Sequence, residues 1–503
     1  MLRRMQSTLR GIDATVEPSF FWHDYETFGR SPARERPAQF AGVRTTPDLE
    51  EVGDPVVAYC QPSDDVLPDP ESCLLTGITP QVARDRGVAE HRFAHIVHAA
   101  LAAPGTIGVG YNSIRFDDEF TRFLLWRNLI DPYAREWQHE CGRWDLLDVL
   151  RLAHALRPGG LEWPKHDDGR PSFKLEHLSA ANGIAHADAH DALSDVRATV
   201  GLARRLKAAQ PRLWDFALRL RRKHAVIDEI EGAQARGEPF IHVSGRYGSE
   251  RGSIALVWPL APHPNNRNEL IVWDLVQNPS EFFTLNAAQI RERLFVKADA
   301  LPEGVTRLPI KTIRLNRSPM VVGNLKTLGE EGAKRWGIDL DAVRRHADIA
   351  AVRVPTMAGI WPEVYEAKEV PRRDVDEDLY GGFLNDHDRR RLEHLRGLDA
   401  HDLAARHPLF DDERLPELVF RYRARNFPAT LDDRDRVRWQ AHCAVRLIDG
   451  EHGARTLHEF DAALDALGEA HTGERERAIL AALRAHARDL EASLNEAAVA
   501  AGA

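Results

Sequence analysis

The sequence predicts a multidomain protein of class α/β plus α, and three observations carry that reading. The chain has 503 residues, too many for one ordinary domain, so two or three are expected. Up to Gln210, apolar strand patterns are followed by helical periodicities, the mark of an α/β layer domain. From Pro239 the pattern changes to short strands, and after Val370-Pro371 it is almost wholly helical.

Taken in order, residues 19–24, 38–46, 54–61 and 106–112 read as strands, rich in Phe, Val, Tyr and Ile and bounded by Pro, Gly and Asp. Segments 90–103, 117–130, 144–156, 172–182 and 191–208 read as helices. In the last, Ala192, Val196, Thr199, Val200, Ala203 and Leu206 recur near helical spacing. Gln210-Pro211 closes this layer, and 212–235 is mostly helical and basic. The strands FIHVSG, SIALVW, ELIVWDL and TIRLN follow, with the Pro-rich loop 258–264 expected to interrupt them. Residues 329–350 return to helix, and Val354 to Asp378 is the expected linker. Helices are expected at 386–397, 413–425, 431–448, 455–469 and 473–498, with a fraying Ala-rich end.

Composition narrows the class. At 43% hydrophobic the chain can bury real cores, yet no stretch approaches the apolar run of a membrane helix. The segment MLRRMQSTLR is basic without an apolar h-region behind it, so a secretory signal is excluded. Residues 1–14 are expected to be a disordered leader, with Met5 an alternative start. Cys60, Cys73, Cys141 and Cys443 form no C-x-x-C pair and no zinc spacing, which fits a reduced cytoplasmic setting. The net charge of -10 speaks to solubility and steering rather than to a local site. Basic residues nevertheless cluster: Arg219, Arg221, Arg222, Lys223 and His224; Lys311, Arg314 and Arg317; Arg421, Arg423 and Arg425. For any single run, a solvated face is the bland alternative.

Four acidic positions and a histidine carry the chemistry. Ser19-Phe20-Phe21-Trp22 is a buried strand pattern that ends in His23-Asp24-Tyr25-Glu26. Side chains alternate along a strand, so Asp24 and Glu26 share a side and Tyr25 takes the other. Adjacent carboxylates repel unless a cation lies between them, and hard oxygen ligands suit Mg²⁺ or Mn²⁺ rather than zinc. Asp117, at the end of Asn112-Ser113-Ile114-Arg115-Phe116, and Asp195 would complete the cage, although Asp118 and Glu119 compete with Asp117 for that place. Two ions about 3.5–4 Å apart can hold the attacking water and the leaving oxygen of a phosphodiester. His190 and Asp195 are five apart, a rotation of about 140° on a helix, so they cannot share one helical face. His190 is therefore expected in the turn before the helix, with Asp191 as N-cap and Asp195 one turn in. There His190 can take a proton from the attacking water.

This set resembles the DEDDh 3′–5′ exonuclease superfamily, and more closely the bacterial exodeoxyribonuclease I family along nearly the whole chain. The residues that carry the resemblance are HDYETFG (23–29), RPAQFAG (36–42), TGITP (76–80), GYNSIRFDDE (110–119), RWDLLDV (143–149), PSFKLEHL (171–178), AHDALSDV (189–196), QPRLWDF (210–216), HVSG (242–245), HPNNRN (263–268) and YRARNFP (422–428). The five catalytic positions show no departure, while Ala225 to Glu238 and everything after Asp449 differ.

The resemblance implies an RNase H-like exonuclease domain over 15–211, an SH3-like β-containing domain over 212–365 and a C-terminal α-helical domain over 366–500. It implies a monomer that closes around single-stranded DNA and removes 5′-mononucleotides from the 3′ end with two Mg²⁺ ions, Mn²⁺ being an acceptable substitute. DNA repair and recombination are the implied setting. Asp24, Glu26, Asp117, His190 and Asp195 are the implied catalytic set. Glu26, Lys174, Arg122, Tyr133, Trp137, Arg151 and Lys223 are assigned to the strand, by phosphate pairing or by stacking. Lys174 serves equally well as a lysine snorkelling from an amphipathic helix. Arg157 and Phe216 resemble positions where the family docks the acidic C-terminal tail of the single-strand-binding protein; the family often has Tyr at the latter. Deoxyribose selection is not visible in these residues, so an exoribonuclease on RNA 3′ ends and a non-catalytic single-strand-binding scaffold remain the rival readings.

Overall fold

The computed structural model describes residues 17–186, 191–366, 373–406 and 408–502, so the expected leader and His190 lie outside the described residues. The chain divides into two compact units. One comprises Met1–Gly108, Phe120–Gly142 and Leu379–Ala503; the other comprises Val109–Glu119 and Arg143–Asp378.

The first sheet contains β1 (Ser19–Thr27), β2 (Pro37–Thr45), β3 (Val56–Tyr59), β4 (Thr106–Gly110) and β5 (Gly142–Asp145), in the order β3-β2-β1-β4-β5. β1 forms where aromatic residues run without a turn former, and it pairs antiparallel with β2. Asp24 lies opposite Ala41 and Glu26 opposite Gln39, and the register slips between Glu26 and Thr27. Trp22 is fully buried, and its indole N–H donates to Thr45 Oγ1 at 2.9 Å, satisfying the one polar atom of the ring.

Four helices lie along this part of the chain: α1 (Pro70–Thr76), α2 (Pro80–Arg86), α3 (Glu90–Leu101) and α4 (Asp117–Arg127). Alternation along β1 then sorts its two faces. Phe21 and Tyr25 join Phe40, Ala58 and Cys60 in a core with Phe93, Ala94, Val97 and Leu101 of α3 and Leu124 and Leu125 of α4. Tyr25 keeps its hydroxyl satisfied through Thr121 Oγ1 at 3.0 Å. Asp24 and Glu26 therefore project from the opposite face.

The short helices α1 and α2 escaped the sequence reading, yet each begins with a capping residue and a proline. Asp69 accepts from Ser72 N and Thr79 from Val82 N, with Pro70 and Pro80 in the first turn. Leu74, Ile78 and Ala83 pack with Phe460 and Leu464 of helix Leu457–Ala470 and with Ile479, Leu483 and Leu490 of helix Glu474–Gly502. A buried charge network lies in the same unit. Asp65 is fully buried and pairs with Arg425 at 2.7 Å, with His442 at 3.5 Å and with Arg36 at 3.6 Å. These partners hold its carboxyl well below the usual range, against the upward push of burial.

In the second unit, α5 (Leu146–Leu156), α6 (Leu175–Ala181), α7 (Ala192–Ala209), α8 (Pro211–Arg219) and α9 (Lys223–Ala235) precede the second sheet. The helix expected from residue 144 starts at Leu146, because Gly142–Asp145 is strand and Asp145 caps the helix. Trp144 and Trp214 meet edge to face with ring centres 4.9 Å apart, and the Trp144 indole donates to the Ala217 carbonyl.

The second sheet is antiparallel at every paired edge, with β6 (Phe240–Val243), β7 (Ile254–Pro262), β8 (Glu269–Asp274), β9 (Ile310–Arg314) and β10 (Met320–Val322) in the order β10-β6-β7-β8-β9. The expected break at 258–264 is corrected here: β7 runs through Pro259 to Pro262. Its register with β8 shifts between Pro259 and Ala261, an irregularity that accommodates a residue with no N–H to give. The expected linker is partly structured, with a 3₁₀ turn at Val354–Met357 and a short helix at Trp361–Val364. No helix among the described residues is long and apolar enough to cross a membrane.

Candidate metal centre

Asp24 and Glu26 reach their positions through β1. Glu26 is buried at 8% exposure, and Asp24 is partly exposed. Asp195 reaches its position through α7. Asp191 caps that helix as the sequence predicts, accepting from Ser194 N at 3.1 Å, and Asp195 falls in the first turn. The positive end of the helix dipole favours an anion there. Asp24, Glu26 and Asp195 are the carboxylates that could serve as metal ligands. Hard oxygen donors of this kind suit a divalent cation such as Mg²⁺ or Mn²⁺. Asp117, the first residue of α4, is buried at 2% exposure.

His186 was missed by the sequence reading. Its Nε2 bonds Asp195 Oδ1, and the ring is almost fully buried. The run Ala185-His186-Ala187-Asp188-Ala189-His190 offers two histidines, of which the sequence reading took only the second.

The residues assigned to the strand differ in how free they are. Arg122 is buried, and its guanidinium grips Glu136 at 2.7 and 2.8 Å, donates to Tyr380 Oη and lies over the Tyr133 ring. Trp137 is 68% exposed, as a stacking platform requires. Arg151 pairs with Asp148 at 2.7 Å and lies over Phe173. A Cβ on Gly245 would come within 2.8 Å of the Arg151 guanidinium, so the glycine of HVSG leaves room for it. Lys174 stands at the amino end of α6, its side chain 60% exposed and 3.6 Å from Glu176. Lys223 opens α9 and donates to Asn268 Oδ1 at 2.6 Å, tying the basic run to HPNNRN. Arg157 ends α5 and donates to the Thr327 carbonyl at 2.9 Å. Phe216 is half-buried on α8 beneath Arg219.

Comparison with known proteins matches three successive segments of the chain. Residues 21–203 match the family described as Exonuclease, 221–367 match the Exonuclease I SH3-like domain, and 373–490 match the Exonuclease I C-terminal domain. Exodeoxyribonuclease I of Escherichia coli is 44% identical over 434 residues, covering 86% of this chain and 90% of that protein. The structure of a moderately thermophilic exonuclease I from Methylocaldum szegediense superposes with a TM-score of 0.89 at 46% identity, covering 94% of this chain and 99% of that one. The zinc-bound complex of Escherichia coli exonuclease I with single-stranded DNA superposes equally well, at 0.89 and 40% identity, covering 94% and 99%. The three matched segments and the near-complete coverage make one conclusion: this chain belongs to the exonuclease I family.

Proposed function

We propose that the protein is a metal-dependent 3′→5′ exodeoxyribonuclease that degrades single-stranded DNA to 5′-mononucleotides, in DNA repair and recombination. The observation that carries this reading is the acidic group Asp24, Glu26 and Asp195 in a chain of the exonuclease I family. The relatives' names support DNA as substrate, and one relative's structure carries both a metal and single-stranded DNA.

Asp24, Glu26 and Asp195, with Asp117, would hold the divalent metal. Bound Mg²⁺ would supply charge for the scissile phosphate and a lower pKa for the attacking water. His190 takes the proton from that water, and Asp191 fixes the start of the helix that follows it. His186 orients Asp195 through its Nε2 contact. Trp137 and Lys174 offer the strand a stacking face and an exposed cation, and Lys223 lies in a basic run further along. Arg157 and Phe216 receive the acidic tail of a single-strand-binding protein.

The test is a 5′-labelled single-stranded DNA oligomer incubated with the protein in Mg²⁺, beside an EDTA control and an RNA twin. Shortening from the 3′ end that EDTA abolishes and RNA does not share establishes the reading. Trimming of RNA alone overturns the substrate, and binding with no hydrolysis of either overturns the enzyme.

A further inference from the structure

Asp117 opens α4 after a six-residue approach from the end of β4, and that approach is gripped at nearly every position. Asp145, at 1% exposure, receives three backbone N–H groups. Asn112 N donates to Oδ1 at 2.9 Å, Ile114 N to Oδ2 at 3.3 Å, and Leu147 N to Oδ1 at 3.0 Å. The last of these caps α5, so one carboxylate joins the start of that helix to the loop leading to Asp117. Ser113 Oγ adds a bond to the Trp144 carbonyl at 3.4 Å. Asp148, one turn further on, takes Arg115 at 3.0 Å. Beyond Asp117 the chain is held again, by Arg143 on Asp118 at 3.3 Å and Arg317 on Glu119 at 2.7 Å. Asn112 has φ +64°, a left-handed conformation that asparagine tolerates better than most L-residues.

We propose that Asp145 is a positioning residue for Asp117: it clamps the loop Asn112–Ile114 onto the β5–α5 junction and so sets where the Asp117 carboxylate stands. The motif RWDLLDV thereby has a part in the reaction without touching substrate. The inference rests on the assignment of Asp117 as a metal ligand made above. Two oxygens accepting three N–H groups are a carboxylate's arrangement. An asparagine keeps the shape but turns an NH₂ toward one of the donors, and an alanine leaves all three N–H groups buried without an acceptor.

The experiment compares Asp145→Asn, Asp145→Ala, Arg115→Met and Asp117→Asn by kcat and KM on single-stranded DNA, by Mg²⁺ titration of activity, by DNA binding in Ca²⁺ and by thermal melting. Removing a group that orients a metal ligand costs about 10–100-fold in metal affinity or activity. Asp145→Asn is expected at the lower end of that range and Asp145→Ala at the upper, with kcat reduced, the Mg²⁺ requirement raised, and KM and DNA binding within about twofold. Arg115→Met touches only a partly exposed side chain and is expected to lower kcat severalfold while melting as the wild type does. A folded Asp145 variant with wild-type kcat and Mg²⁺ requirement overturns the proposal. Should both Asp145 variants fail to fold, an unchanged Arg115→Met overturns it instead. If Asp117→Asn itself retains full turnover, the metal assignment has failed rather than the clamp alone.

Discussion

Two pairs of carboxylates, one on β1 and one at the start of α5, handle negative charge in different ways. Asp24 and Glu26 share a face because strands repeat every two residues, whereas Asp145 ends β5 and caps α5, with Asp148 in that helix's first turn. On α5 the chain supplies the answering charge. Arg115 and Arg151 pair with Asp148, and three backbone N–H groups converge on Asp145. Burial and the neighbouring Asp148 still push the Asp145 carboxyl up to about 7. On β1, Asp24 and Glu26 share one face, and the answering charge there we assign to metal from solution. The pair at the β5–α5 junction is held by groups of the chain itself, and the pair on β1 we assign to the chemistry. Asp65 marks the chain-neutralised extreme, fully buried among Arg36, Arg425 and His442.

The largest expected effect falls on the β1 pair. Asp195→Ala, or EDTA added to the wild type, should lower turnover by at least about 10³-fold, while single-strand binding in Ca²⁺ persists. Near-wild-type hydrolysis by Asp195→Ala would break the comparison at its root. The next effect falls on Asp65. Arg425→Met leaves its carboxylate buried with less compensation and should cost about 3–5 kcal/mol in a urea unfolding titration. A loss below about 1 kcal/mol would mean that the remaining cations suffice.

Acid provides a third probe, because buried histidines stay neutral in the fold. His154, set among Trp163, Phe173 and Trp336, is pushed down to about 4, chiefly by burial. Burial likewise pushes His486 down to about 4. The unfolded chain takes up these protons first, so stability is full above pH ~6.5 and is lost as pH falls toward about 4. The melting temperature should fall across that window, and His154→Gln should flatten the fall. An equal slope in the variant would show that other groups carry the acid response. The smallest and most graded effect is ionic: log affinity for single-stranded DNA should decline against log salt with a slope of about −0.7 for each phosphate contacted. A flat response would rule out a basic groove.

Much of this arrangement was legible in the sequence because it follows from local periodicity. Alternation along an aromatic strand puts Asp24 and Glu26 on one face, and helical rotation puts Asp191 at the cap and Asp195 in the first turn. The strand β5 was not legible, because four residues of mixed polarity carry no period and run straight into a strong helical pattern. Pro259 and Pro262 were misleading for the opposite reason. A proline rule read locally predicts a break, whereas a shift of register with β8 absorbs them.

The sequence by itself determined which residue types face which way along each element, and with them the family. Only the tertiary structure decided what each charge meets. Arg122 is bound by Glu136 and Tyr380, His186 lies against Asp195, and Asp145 accepts from the loop that leads to Asp117. The physical reason is range. Backbone geometry acts over a few neighbouring residues, but the worth of a charge depends on partners that chain folding brings from far away and on how much water they displace.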